Sequence, residues 1–216
     1  MTPDDEVAAN PVPLWLRELA RTAGAMEVDL HSRPPASGGR AAAVLVLFAA
    51  GADGTHDDPE LLFIERSAAL RLHAGQPAFP GGTIDDTDSG PVAAALREAA
   101  EEVGVIPDGV DVVGVMPELY IPRTGFRVVP VLAWWREPGA VAPVDLGEVA
   151  AVERISVSEL ADPAVRAMVR APGGGASPAF TVRGLIIWGF TAGLVDRLLA
   201  LGGWERPWDT AKVIDL

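Results

Sequence analysis

Short apolar runs and amphipathic stretches divide the chain into elements with clear periodicity. Continuous or alternating apolar runs predict strands over residues 42–49, 60–66, 112–119, 126–135 and 149–157. The first two runs flank a polar loop and predict a hairpin. Helical spacing of apolar residues predicts helices over residues 14–21, 91–104 and 185–201, with a further short helix opening at residues 158–160. Because strands and helices mix without strict alternation, we expect a mixed sheet with helices on its faces.

Residues 1–39 are predicted to be an N-terminal helical appendage and linker. An amphipathic helix carries Leu16, Leu19 and Ala20 on one face, and it is followed by a segment rich in proline, serine and glycine over residues 34–39. The whole chain has 216 residues, and domains commonly run to ~100–200 residues. We therefore expect one main domain after the linker.

Composition and charge narrow the function classes. The chain has no cysteine, which excludes disulfides, thiolate metal sites and cysteine nucleophiles. The longest uncharged apolar stretch, residues 184–195, is shorter than the roughly 20 residues of a membrane span. The N-terminus shows no secretory leader, so a cytoplasmic location is expected. A net charge of −13 argues against binding to nucleic acid or to an anionic membrane.

The predicted helix over residues 91–104 has clear ends. Gly90 suits the N-cap, Pro91 suits the first helical position, and Gly104 suits the residue that ends the helix. Its apolar residues share one face, which we expect to pack on the core: Val92, Leu96, Ala99 and Val103.

Three glutamates gather on the opposite face of this helix, because Glu98, Glu101 and Glu102 are spaced i, i+3 and i+4. Ala94 and Ala95 lie beside them, and their small side chains are expected to leave room for a bulky ligand. In water the repulsion costs roughly 0.2–0.5 kcal/mol per pair, but in a cleft it rises toward ~4 kcal/mol at 4 Å separation. A divalent cation would remove it, and oxygen ligands favour magnesium or manganese. The alternative is a solvated acidic face.

The sequence around this helix resembles the Nudix box, the signature of hydrolases that cleave nucleoside diphosphates linked to another group. Gly82 is followed after five residues by Asp88, and after eight more by residues 97–105, which read REAAEEVGV. Relative to the usual pattern, Asp88 replaces a glutamate, the second spacer is one residue longer and Ala99 is a small apolar residue. The resemblance implies a Nudix fold of the α+β class, an α/β/α sandwich with a mixed central sheet.

The flanking segments resemble the coenzyme A diphosphatases within that superfamily. Residues 61–82 read LLFIERSAALRLHAGQPAFPGG, and residues 187–192 read IWGFTA, similar to a C-terminal helix signature of the subfamily. Pro77 stands where a valine is expected. The resemblance covers residues 40–205, which we take as the Nudix hydrolase domain, and leaves residues 206–216 as a C-terminal tail.

The resemblance implies roles for the residues of the box. Glu98 and Glu102 would be the principal ligands of Mg²⁺ or Mn²⁺, with a backbone carbonyl, that of Gly82, completing the shell. Glu101 would bind the metal through water or act as the general base, and Arg97 would orient a glutamate. Glu148 is a second candidate base, because several Nudix enzymes supply one from the same place, and the alternative is that it is an ordinary exposed glutamate.

Upstream of the box, Arg66, Arg71 and His73 are candidate substrate-binding residues. The stretch from Arg66 through Gly82 holds two arginines, Arg66 and Arg71, and no acidic residue, which suggests a basic wall for phosphate groups. The alternative is that Arg71 and His73 brace the glycine turn by hydrogen bonds.

The sequence thus predicts a metal-dependent pyrophosphohydrolase of coenzyme A or its thioesters, acting on a small molecule. A Nudix hydrolase of ADP-ribose, a dinucleotide or a nucleoside triphosphate is the alternative, and a non-catalytic Nudix-fold binding module is a third reading. The oligomeric state is left open, with a homodimer as one possibility.

Overall fold

The computed structural model describes residues 10–28, 33–35, 38–70, 73–170 and 175–216. The helices are α1 (Leu14–Gly24), α2 (Pro91–Val103), α3 (Val157–Leu160) and α4 (Gly189–Leu201). The strands of the larger sheet are β1 (Arg40–Ala49), β2 (Glu60–Arg66), β3 (Pro77–Ala78), β4 (Gly81–Thr83), β5 (Val110–Val115), β6 (Leu119–Ile121), β7 (Phe126–Trp135) and β8 (Val149–Ser156). The smaller sheet contains β9 (Arg166–Arg170), β10 (Ala176–Val182), β11 (Leu185–Ile187) and β12 (Val213–Ile214).

The larger sheet is mixed, as predicted. Its strands follow the order β3-β2-β1-β7-β5, with β4 beside β1, β6 beside β7 and β8 beside β2. Strands β1 and β7 run parallel along their whole length, whereas their other neighbours are antiparallel. The smaller sheet has the order β11-β10-β9-β12. Helices pack on both faces of the larger sheet, which confirms the α+β fold class.

Strand β1 changes its antiparallel partner along its length, and this change creates the site. It pairs with β2 only near its end, at Phe48 and Ala49. Nearer its start it pairs with β4, where Ala43 lies opposite Gly82 and Val44 lies opposite Gly81. The sheet therefore opens between β2 and β4, and the paired glycines lie at the opening, next to α2.

One face of the larger sheet packs against α2, and here the structure corrects a prediction. Ala94 and Ala95 are fully buried in a core cluster with Ala43 and Leu45 of β1. They let the helix lie close to the sheet, so they leave no room for a ligand beside the glutamates. The helix ends are as predicted, with Gly90 at the N-cap and the left-handed Gly104 after the last turn.

The opposite face packs against α1 and α4. The predicted apolar face of α1 is buried in the same cluster as Trp134 of β7 and Leu198 of α4. The indole N–H of Trp134 donates to the Asn10 carbonyl at 2.8 Å, which ties the segment before α1 to the sheet. Residues 10–24 thus contribute to the core, and the domain boundary at residue 39 stays a prediction.

Two predicted elements have different bounds in the structure. The predicted strand over residues 112–119 is divided into β5 and β6, because Pro117 has no N–H for the ladder. The helix predicted from residue 185 begins at Gly189, since residues 185–187 form a hairpin with β10 through a turn at Arg183 and Gly184, both with positive φ. Within the described residues, no helix is long and apolar enough to cross a membrane.

Gly81→Ala should destabilise the protein, because an added Cβ would lie 2.3 Å from the Ala43 carbonyl oxygen and 2.7 Å from the Val44 Cα. Both atoms belong to the β1 backbone, so relief requires the β1–β4 pairing to give way. Overpacking of this kind costs typically 1–3 kcal/mol, or roughly 2–4 °C in melting temperature per kcal/mol for a chain of this size. Gly54→Ala is the matched control, since Gly54 also has positive φ but open space around it. Equal shifts in thermal melts of the two variants would contradict the argument.

Candidate active site

Arg97 of α2 connects the helix to the loop that follows β4. Its guanidinium donates to both carboxylate oxygens of Asp88, at 3.1 and 3.0 Å, and to the Thr83 carbonyl at 3.0 Å. It also donates to Glu98 at 3.1 Å and to Glu101 at 2.9 Å. The bonds from Arg97 hold the pKa of Asp88 below its usual value. Arg97 thus fixes the loop and orients two of the box glutamates at once.

Glu102 is the most buried of the three glutamates, with 7% of its surface exposed. Its carboxylate accepts the Gly81 N–H at 2.9 Å, and the Arg66 guanidinium lies 3.9 Å away. Burial raises the pKa of Glu102 to about 7, and the charges of Glu98 and Glu148 add to this against the opposing effects of Gly81 and Arg66. The surroundings of Glu102 therefore stabilise its ionised form poorly.

Glu98 lies directly over the glycine turn. A Cβ on Gly82 would come within 2.5 Å of the Glu98 carboxylate, so only glycine leaves space for this side chain in its present position. Burial is the main cause that raises the pKa of Glu98, and Arg97 opposes it. Glu101 is exposed and paired with Arg97. The three glutamates of one helix face therefore have three different environments.

Glu148 lies in the loop that leads into β8, beside the box. Its carbonyl accepts the Ser67 N–H at 2.8 Å, and its carboxylate charge acts on Glu102. The side chain of Glu148 is exposed to solvent, and its role as a base stays a prediction.

The upstream candidates occupy different positions. Arg66 ends β2 and faces Glu102. His73 is exposed, has a φ of 58° and places Nδ1 2.8 Å from the Gln76 side-chain oxygen, a contact within its own turn. The contact braces the turn at residues 73–76 and not the glycine turn, and substrate binding by His73 stays a prediction. Arg71 lies outside the described residues.

The donor set fits a hard divalent cation, although nothing is preassembled as a complete shell. In the described parts of the chain, no three acidic or histidine side chains converge closely enough to hold a metal by themselves. Arg97 engages Glu98 and Glu101. Glu102 is buried with its charge poorly compensated, and Gly82 provides a backbone approach beside Glu98. Glu98, Glu102 and the Gly82 carbonyl could hold magnesium or manganese, ions that retain several waters when bound to few carboxylates.

Sequence reasoning did not anticipate two of these contacts. It left the role of Asp88 open, whereas the structure pairs Asp88 with Arg97. It assigned Gly82 to the metal but gave no part to Gly81, whose N–H binds Glu102. The sequence did contain a signal for the role of Gly81. Two adjacent glycines precede an acidic loop, and each of them can make a different backbone contact.

Comparison with known proteins finds relatives that are named Nudix hydrolases. It is 48% identical over 108 residues to the uncharacterized Nudix hydrolase NudL of Cronobacter sakazakii, which is 47% of this chain and 52% of that protein. It is 47% identical over 98 residues to NudL of Escherichia coli K12, covering 45% and 47%. The matched part spans about half the length of these curated relatives.

The fold is shared with a solved structure of the same class. The crystal structure of RenU, a Nudix hydrolase from M. smegmatis, superposes with a TM-score of 0.55 at 22% identity, covering 80% of this chain and 91% of that one. The family model described as NUDIX domain matches residues 39–172, a span that holds the glycine turn, α2 and the loop of Glu148. The chain belongs to the Nudix family.

Proposed function

We propose that the protein hydrolyses the diphosphate bond of coenzyme A or its thioesters, releasing 3′,5′-ADP and 4′-phosphopantetheine or its acyl form. One observation carries the substrate assignment. Arg66 lies within the stretch that resembles the coenzyme A diphosphatases, and its guanidinium is 3.9 Å from the carboxylate of Glu102 of the box. The same stretch ends at Gly81 and Gly82, which contact Glu102 and Glu98. These contacts support the proposal, because they bring the resembling stretch and the box together.

In this proposal each side chain has a defined task. Glu98 and Glu102, with the Gly82 carbonyl, hold Mg²⁺ or Mn²⁺, which supplies charge neutralisation for the diphosphate and activation of water. Arg97 keeps Glu98 and Glu101 in place and does not touch the substrate. Glu101 or Glu148 accepts the proton of the attacking water. The water oxygen bonds to one phosphorus, the bridging P–O bond breaks, and the other phosphate leaves.

The other two functions from the sequence share most of this geometry. A Nudix hydrolase of ADP-ribose or of a dinucleotide would use the same glutamates. A non-catalytic module would have no need of all three, and Glu98, Glu101 and Glu102 are all present. We also retain a cytoplasmic location and a small-molecule substrate as proposals.

A product assay on coenzyme A, ADP-ribose and NADH should give 3′,5′-ADP from coenzyme A at the highest kcat/KM of the three. The stretch that begins at Arg66 adds positive charge beside the box, and coenzyme A carries a 3′-phosphate that the other two lack. A higher kcat/KM with ADP-ribose or NADH would replace the substrate assignment while retaining the hydrolase. Failure to hydrolyse any of them would favour the binding module.

Hydrolysis should stop in excess chelator and return with Mg²⁺ or Mn²⁺. Glu98→Gln and Glu102→Gln should each lower kcat by several orders of magnitude, because the amides lack the charge that holds the cation. Asp57→Asn serves as the control, since Asp57 is exposed and outside the site. A mild loss in both glutamine variants would show that the metal ligands lie elsewhere.

The Glu102→Gln variant should also change the melting temperature, which can be measured independently of activity. The glutamine oxygen can still accept the Gly81 N–H, while the poorly compensated buried charge is removed. We expect a higher melting temperature than wild type in chelator. We also expect a smaller rise on adding Mg²⁺, because ligand binding stabilises only the state that binds it. A lower melting temperature in chelator together with an undiminished Mg²⁺ response would contradict the assignment of Glu102.

Arg71→Ala should erase most of a preference for coenzyme A over 3′-dephospho-coenzyme A. A guanidinium can hold the 3′-phosphate through charge-assisted hydrogen bonds, each worth roughly 1.5–3 kcal/mol. This corresponds to about one to two decades in the ratio of kcat/KM. Equal losses on the two substrates would indicate that Arg71 supports the turn instead.

A further inference from the structure

The segment that follows α4 returns to the smaller sheet and ends as its edge strand. The helix is followed by Gly202, and Gly203 has a positive φ of 72°, a conformation that glycine adopts without strain. At the other end of the segment, β12 pairs in parallel with β9, with Val213 opposite Met168. We call residues 203–214 the C-terminal strap.

Contacts at two positions hold the C-terminal strap against the strand β9 and the loop before it. The Lys212 ammonium donates to the Ala164 carbonyl at 2.6 Å, and the Met168 N–H donates to the Lys212 carbonyl at 2.8 Å. Trp208 lies over the guanidinium of Arg166, with 4.4 Å between the guanidinium carbon and the ring centre. These contacts must offset the conformational entropy that is lost when the whole segment is ordered.

Arg166 is the charged group that the C-terminal strap covers. Its side chain is fully buried, and its guanidinium also lies 4.9 Å from the ring centre of Phe180. Nη2 donates to the carboxylate of Asp196 on α4, which is partly exposed. Nε and Nη1 have no acceptor among the described residues. Because a buried donor loses its hydrogen bonds to water, the desolvation of Arg166 opposes closure of the strap.

We propose that the C-terminal strap opens as one unit in the folded protein, about Gly203, and that the buried charge of Arg166 keeps its closed state marginal. Opening separates Trp208 from Arg166 and β12 from β9, and it returns the guanidinium to water. It also exposes the edge of β9, and such an edge can pair with another extended segment. This conformational device is independent of the proposed substrate.

The sequence offers a direct probe of this opening, because Lys212 is the only lysine in the chain. A lysine-specific protease can therefore cut the full-length protein at one bond. The Lys212 carbonyl is held by the Met168 N–H, so the bond becomes accessible when β12 leaves β9. When opening and closing are fast relative to cleavage, the cleavage rate follows the population of the open strap. We expect native wild type to be cut slowly at Lys212, as measured by mass spectrometry.

Three substitutions should change the cleavage rate in opposite directions. Arg166→Met removes the buried charge and keeps an apolar side chain against Trp208, so cleavage should slow about tenfold. Asp196→Asn removes the negative charge that faces Arg166, so cleavage should become about tenfold faster. Trp208→Ala removes the ring that covers the guanidinium and should also speed cleavage. If Arg166→Met proves unstable in thermal melts, Trp208→Ala on the strap itself still decides the test.

Two further variants separate local opening from global unfolding. Arg17→Met is the matched control, because it makes the same change at an exposed position of α1 and should leave the rate at the wild-type value. Gly81→Ala lowers global stability from within the larger sheet, and it should also leave the rate unchanged. Faster cleavage of Gly81→Ala would overturn the proposal, because cleavage would then require global unfolding. Unchanged rates in Arg166→Met and Trp208→Ala, or no cleavage of native wild type, would overturn it as well.

Discussion

The site depends on one steric constraint, the close approach of β4 to β1 on one side and to α2 on the other. No side chain fits on either glycine as the strand lies. A Cβ on Gly81 would strike the β1 backbone, and a Cβ on Gly82 would strike the Glu98 carboxylate. Because the space is so limited, the Gly81 N–H reaches Glu102 directly. Because neither glycine has a side chain, the carboxylates of Glu98 and Glu102 can lie directly against the backbone of β4.

Arg97 offsets the repulsion between the carboxylates around α2. The Arg97 guanidinium contacts three carboxylates together, those of Glu98, Glu101 and Asp88. Glu102 is not among the partners of Arg97 and instead contacts Gly81 and Arg66. The acidic residues therefore fall into two groups. Arg97 holds Glu98, Glu101 and Asp88, whereas Glu102 lies near Arg66 of the upstream stretch.

The sequence allowed prediction of the elements whose cause is local. Helix α2 ends where Gly90, Pro91 and Gly104 place its caps, and β7 follows a continuous apolar run. The errors have a tertiary cause. The sequence predicted Ala94 and Ala95 beside a ligand, but both are buried between α2 and the sheet. The short distance between the helix and the sheet is the cause, and no local sequence pattern encodes that distance. Likewise β11 was assigned to a helix, because its apolar run suits either structure until the hairpin with β10 is known.

The electrostatics of the site give a reason for a divalent cation that does not depend on resemblance. The substrate in the proposal is an anion, and the protein carries a net charge of −13. Among the described residues, the opposing charge near Glu102 is that of Arg66 at 3.9 Å, whereas Glu98 and Glu148 both act to disfavour its ionised form. An anionic diphosphate approaching these carboxylates would add to the repulsion. A bound divalent ion reverses the sign of the field at that point, since it is a larger local charge than any side chain. The carboxylates would repel an anionic substrate by themselves. With a divalent ion bound to them, they can take part in binding it.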